Sequence, residues 1–303
     1  MSFKRHGHRM MRALLILLLW VPAGWLTAGT LLLSPSPSTL SEQFADALGR
    51  QGRAITVQYL QQPPDTTALA EADLVITLGQ AALKWRMQQA PSTPTLAIYL
   101  NLDSLHTLAL TDADQRPDWL QLMTISPLPD RQLQLAAIGV PRLRRLGLLY
   151  SPSQDWQLPL WQAAAERQQL QLVTRRLDHP AQLARQLADL LPRTDALIGI
   201  EDSAVYAPEL IKTILLTSYN HNRVLIGPSA PYIAAGSLAS TYSDPEAVAA
   251  DVSALLAQEW QPRTLHFPRR FSVISNRQVA RSLGLDLPAD DDLQQRLVQA
   301  EMP

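Results

Sequence analysis

Short, unbroken apolar runs alternate along the chain with stretches of helical periodicity. The runs lie at 30–34, 55–59, 73–77, 95–100, 120–124, 145–150, 171–175, 196–200, 224–227, 237–241 and 271–274, and are rich in Leu, Ile and Val. Continuous rather than alternating apolarity predicts strands covered on both faces. Between them, Thr39-Leu40-Ser41-Glu42 reads as a capping box, with Phe44, Ala47 and Leu48 on one helix face and Gly52 past the end. Further helices are predicted over 80–89, 130–138, 159–169, 180–191, 208–221 and 245–259. Pro159, Pro180, Pro208 and Pro245 stand at or near their starts, where a missing N–H costs nothing.

Repeated strand–helix–strand units imply parallel sheets with right-handed crossovers. Eleven such runs suit two doubly wound α/β lobes better than one sheet. The stiff run Ser126-Pro127-Leu128-Pro129 marks the break near 124–129, and a second series begins at Arg145. In open parallel sheets ligands bind beyond the carboxyl ends of the strands, and clefts between lobes favour them. The candidate ligand-binding residues are therefore Ser34, Gly79, Gln80, Tyr99, Thr124, Ser126, Tyr150, Ser151, Asp202, Ser203, Ser229 and Tyr242. Asp202 is the one charged member, and the set suits a small neutral or zwitterionic solute. A carboxylate at Asp202 accepts hydrogen bonds from a ligand ammonium; the alternative is a helix cap or a simple turn.

The N-terminus changes the picture of where the fold resides. Lys4, Arg5, Arg9 and Arg12 precede an apolar run over 13–21, then Pro22 and small residues ending at Ala23 and Ala28. That order describes a secretory signal over 1–28, cleaved after Ala23 or Ala28. The alternative is an uncleaved anchor, since 13–33 carries no charge. Either way the body is expected outside the cytoplasm, in the periplasm.

Charge and composition exclude several functions. The whole chain has a net charge of −1; removing 1–28 takes four of the 26 basic residues and none of the 27 acidic ones, leaving −5. Such a surface lacks a nucleic-acid footprint. With no cysteine there is no disulfide, thiolate metal site or thiol nucleophile. No phosphate-binding glycine loop, dinucleotide fingerprint or nucleophile elbow occurs. His106, His179, His221 and His266 are scattered without metal-ligand spacing and read as solvated or loop residues. Asp290-Asp291-Asp292 reads as the charged start of a terminal helix, Asp112 and Asp114 as surface, and Trp156 and Trp161 as core or interface packing. No catalytic set, cofactor or metal is expected.

Several segments in chain order resemble the periplasmic substrate-binding proteins of ABC transporters, in the family that includes tryptophan/tyrosine-type binding proteins. They are 73–79 (DLVITLG), 145–152 (RLGLLYSP), 195–205 (DALIGIEDSAV), 236–240 (GSLAS) and 274–288 (ISNRQVARSLGLDLP). The resemblance implies a type I periplasmic-binding fold of two lobes on a hinge, one of 29–124 with about 244–270, the other of 125–243 with about 271–303. It implies a ligand trapped between the lobes, with Gly79-Gln80, Asp202-Ser203 and Ser229 in the contacting loops. It further implies a monomer that docks on an inner-membrane ABC permease. One departure is that 102–118 is shorter than the family's segment, so the first-lobe half of the pocket does not carry over. An exported sensor with a membrane partner, or less plainly a periplasmic enzyme, are the rival readings.

Overall fold

A computed structural model describes residues 29–62, 66–89 and 91–301. The expected export signal lies outside the described residues. Among those described, no helix is long and apolar enough to cross a membrane.

The first sheet forms from five runs read in the sequence: β1 (Thr30–Ser34), β2 (Ile55–Tyr59), β3 (Leu74–Leu78), β4 (Thr95–Leu100) and β5 (Leu120–Thr124). A sixth strand joins it from far along the chain, so that all six are parallel in the order β11-β5-β4-β3-β1-β2, where β11 is Leu265–His266. Every residue of β1 and β5 is buried, as strands covered on both faces require. Helix α1 (Thr39–Arg50) lays Phe44, Ala47 and Leu48 on one face of this sheet. Its cap falls one residue earlier than the sequence pattern indicates. Ser38 is the N-cap and accepts the Ser41 N–H at 3.1 Å, while Ser41 Oγ accepts the Ser38 N–H at 3.0 Å. A serine hydroxyl thus does the work usually given to a Glu or Gln. The helices α2 (Thr66–Glu71), α3 (Gly79–Gln88) and α4 (Leu102–Thr107) complete this half.

The second sheet begins after α5 (Pro129–Gly139). Its core order is β7-β6-β8-β9, all parallel, with β6 (Arg145–Tyr150), β7 (Gln171–Arg176), β8 (Ala196–Ile198) and β9 (Leu225–Ile226). β10 (Ala239–Tyr242) continues it, because the Leu238 N–H donates to the Leu225 carbonyl at 2.8 Å and the Gly227 N–H to that of Ala239 at 2.9 Å. β12 (Ser272–Ser275) closes the edge antiparallel to β10. Around it pack α6 (Leu158–Arg167), α7 (Leu183–Leu190), α8 (Pro208–Asn220), α9 (Pro231–Ala235), α11 (Arg277–Ser282) and α12 (Asp290–Glu301). The helix expected over 180–191 is tightened to single 3₁₀ turns at both ends, Pro180–Gln182 and Leu191–Arg193. Asp290, Asp291 and Asp292 occupy the first turn of α12, where carboxylates oppose the helix dipole.

The chain passes between the sheets three times. It leaves the first between β5 and α5 and returns at 243–244 into α10 (Pro245–Leu256), whose Val248, Ala249 and Val252 pack with Phe44 and Leu48 of α1. After β11 it crosses again at 267–271. Ser243 Oγ donates to the Arg270 carbonyl at 2.6 Å, tying the second crossing to the third. The architecture is a mixed α/β fold with two parallel-sheet lobes on a hinge of three connectors.

Candidate functional site

The carboxyl ends of the two sheets face each other, and their loops are in contact. A 3₁₀ turn, Pro152–Gln157, follows β6 and reaches across to the first lobe. Its Trp156 packs against the apolar cluster of Leu83, Leu100, Leu102 and Leu105, which belongs to β4, α3 and α4. Trp161, by contrast, is buried in the second lobe's own core.

Carboxylates from each lobe bridge the mouth. Asp103, early in α4, accepts the Gln154 side-chain amide and, at 3.3 Å, the Ser203 N–H, both from the second lobe. In return Glu201, just beyond β8, accepts a hydrogen bond from Ser126 Oγ in the first connector. Ser126 Oγ in turn accepts the N–H of Leu102, the first residue of α4, at 2.9 Å. A relay thus runs from the start of α4 through a hinge hydroxyl to a carboxyl of the opposite lobe. Burial pushes the Glu201 carboxyl up to about 7; its bonds to Ser126 and the Leu102 N–H oppose the rise, and the Asp103 charge adds to it.

Between these groups lies a cavity of about 10 Å³, the room of about one water molecule. Its wall includes Leu102, Ser126, Gln132, Gln157, Trp161 and Glu201. Gln132 on α5 is 1% exposed, and its Nε2 donates to the Gly227 carbonyl and to Ser240 Oγ, both at 3.1 Å. Those two acceptors fix the amide's orientation and leave Oε1 buried without a hydrogen-bond partner. Gly199 also lines the cavity, and an added Cβ there would stand 2.7 Å from Pro228 Cδ.

The twelve residues singled out from the sequence divide sharply. Ser126 stands in the cavity wall, and Ser203 meets Asp103 through its backbone. Asp202, 2% exposed, is consumed within its own lobe. It accepts the Ser151 N–H at 2.5 Å, Ser151 Oγ at 3.0 Å, and the N–H groups of Ala204 at 3.0 Å and Val205 at 3.3 Å. It therefore caps a turn and pins the end of β6, and Ser151 is occupied with it. Ser34 Oγ donates to the Ser36 carbonyl, and Thr124 Oγ1 to that of Leu100 at 2.7 Å. Tyr99, in the left-handed region at φ 55°, is turned into the first lobe's core, edge-on to Phe44 at 5.9 Å. Gly79, with φ 79°, and Gln80 open α3, and Tyr150 is buried at the end of β6. Ser229 precedes α9, and Tyr242 is 39% exposed on the strand paired with β12. Asp103, Gln132, Gln154, Gln157 and Glu201 were not singled out. The sequence signal for Glu201 is its place beside Asp202 after an apolar strand; for the glutamines there is none.

No protein-family model and no curated relative match the chain. Solved structures do. One is the ligand-free, open structure of CD0873, a substrate binding protein with adhesive properties from Clostridium difficile, with a TM-score of 0.64 at 15% identity over 87% of this chain and 97% of that one. Another is an ABC domain in complex with L-Trp from Streptococcus pneumonia, with a TM-score of 0.54 at 16% identity over 89% and 98%. A conserved domain protein from Vibrio cholerae gives a TM-score of 0.53 at 14% identity over 89% and 98%. The fold is thus the type I periplasmic-binding fold of substrate-binding proteins.

Proposed function

We propose that the chain is an exported solute-binding protein of an ABC-type uptake system, holding a small amino-acid-like ligand between its lobes in the periplasm. The observation that carries this reading is the meeting of two parallel-sheet lobes, strand ends inward, around a small cavity of mixed lining on a three-connector hinge. A ligand touching both lobes favours the closed arrangement, because only that arrangement makes both sets of contacts. An inner-membrane permease then senses closure as a shape. The N-terminal pattern of basic residues, apolar run and small residues supports export. The test is a thermal-shift screen of the purified protein against amino acids, small peptides, sugars and nucleosides. A ligand raises the midpoint by mass action; a midpoint that none of these pools moves overturns the reading.

A second reading draws on the mouth itself. Trp156 and the Asp103–Gln154 contact hold the lobes together with the chain's own side chains. An exported sensor or interaction protein, signalling to a membrane partner by its closed shape, has this property. Small-angle scattering separates the two readings: a solute-binding protein changes its radius of gyration when its ligand is added, whereas the interaction protein does not.

A further inference from the structure

We propose that a second pocket, at the hinge edge of the first lobe, is a binding site for a small oxyanion held by Arg269 and His266. It lies apart from the mouth and shares no wall residue with the cavity there.

The pocket is a space of about 130 Å³ beneath the second half of α10, with room for sulfate or acetate. Met123 of β5 and His266 of β11, register partners in the sheet, line it from below. His266 is thus a strand residue, not the solvated or loop residue its sequence context suggests. Its ring is half-buried, and Nε2 is buried without a hydrogen-bond partner. A buried ring nitrogen in that position calls for one. Arg269, from the third connector, also lines the pocket, and its guanidinium takes part in none of the ion pairs among the described residues. Burial, and after it the Arg269 charge, hold the imidazole below its ordinary pKa.

The carboxylate in the lining is already committed. Asp251 Oδ2 accepts the N–H groups of Arg269 at 2.7 Å and Arg270 at 2.9 Å, and Oδ1 pairs with Arg270 Nη1 at 2.6 Å. Arg270 therefore answers the Asp251 charge, and the backbone bonds fix the main chain from which Arg269 springs.

An oxyanion answers both open features at once. It accepts the N–H of His266 Nε2, and it offsets the Arg269 charge through a guanidinium whose planar fork suits paired oxygens. The exposed amides of Gln258 and Gln261 stand in the same wall as further donors. A water or an alcohol pairs with the ring nitrogen but leaves the guanidinium charge unanswered, and a cation is repelled by it.

The experiment is isothermal titration calorimetry of the purified protein at fixed ionic strength with sodium sulfate, sodium acetate and acetamide, the uncharged counterpart of acetate. Saturable binding of either anion, and none of acetamide, supports the site; sulfate alone marks a tetrahedral seat and acetate alone a carboxylate seat. Arg269→Met keeps the backbone N–H that Asp251 holds and is expected to weaken anion binding at least tenfold. Arg296→Met removes an exposed guanidinium of α12 and is expected to change nothing. From pH 6 to 8 the affinity is expected to fall several-fold, because the bound anion favours the imidazolium that the free pocket disfavours. The charged groups facing the ring are Asp251 from α10 and Arg269 from the third connector. His266→Gln, verified as folded by circular dichroism, is expected to flatten that profile. Failure of both anions to bind overturns the site, and so does acetamide binding as tightly as acetate. Equal losses in the two arginine variants, or a flat pH profile in the unaltered protein, overturn it as well.

Discussion

The guanidinium of Arg131 lies 3.7 Å over the ring of Phe271. Arg131 belongs to α5, which follows the first connector, and Phe271 ends the third, so the stack clamps two of the three passages between lobes. The same guanidinium is 2% exposed and pairs with Glu301 through Nε at 2.5 Å and Nη2 at 2.9 Å. Its Nη1 donates to the Pro268 carbonyl at 3.1 Å. Replacing it with a side chain of similar length removes a ring contact and orphans a carbonyl and a carboxylate. Arg131→Met is expected to lower stability by about 3 kcal/mol, measured by urea unfolding. A loss within 0.5 kcal/mol of zero (about the scatter for an exposed site) contradicts the clamp.

The pH dependence of stability follows from Glu201. Its folded value, about 7, stands above its ordinary 4.5. Between those values the folded protein holds a proton that the unfolded chain has lost. Stability from this group is therefore full below about 4.5, falls as pH rises towards 7, and is level above it, a swing of up to about 3 kcal/mol. Calorimetric melting temperatures measured from pH 5 to 8 are expected to fall across that window. In Glu201→Gln this component disappears. In Asp103→Asn, which removes the neighbouring charge, the step moves to lower pH.

Asp202 gives a contrasting case, because its oxygens face only donors. Asp202→Asn turns one acceptor into an amide NH₂ that meets either the Ser151 N–H, in place of Oδ2, or those of Ala204 and Val205, in place of Oδ1. The expected loss is about 2 kcal/mol of unfolding free energy, with solute affinity changed little. A variant of full stability that loses ligand binding instead reverses this assignment.

Closure depends on Trp156, which carries apolar surface of one lobe into a cluster of the other. Trp156→Ala is expected to weaken the closed state by about 2 kcal/mol while leaving both lobes folded. The measurement is small-angle scattering, where the radius of gyration increases with circular dichroism unchanged.

How much of this was visible beforehand depends on what each residue's partner is. The strands of both sheets were legible because parallel strands buried on two faces leave unbroken apolar runs, as in β1, β4 and β6. β11 was not, since two residues paired with Leu122 and Met123 make no pattern. Helix α4 hid in a polar segment whose N-cap, Asn101, is also a common loop residue. At the mouth, position beyond a strand end identified the neighbourhood but not the role. Ser151 and Asp202 are 51 residues apart and satisfy each other, and so do Asp103 and Gln154. The first pairing arises from neighbouring strand ends within the second lobe and the other from the docking of one lobe on the other, and local sequence carries no trace of either. Glu201 and Asp202 are adjacent, yet one points to the seam and the other into its own turn.

The stitch between Ser243 and Arg270 bears on how the molecule comes apart. Because α10 and β11 return to the sheet that β1 begins, the first half of the polypeptide lacks one edge strand and one covering helix of its own layer. A protease that nicks the segment 125–128 leaves two fragments still threaded through each other at two further places. Separating them requires unravelling the sheets themselves, so a nicked molecule is expected to migrate as one particle until denaturant is added.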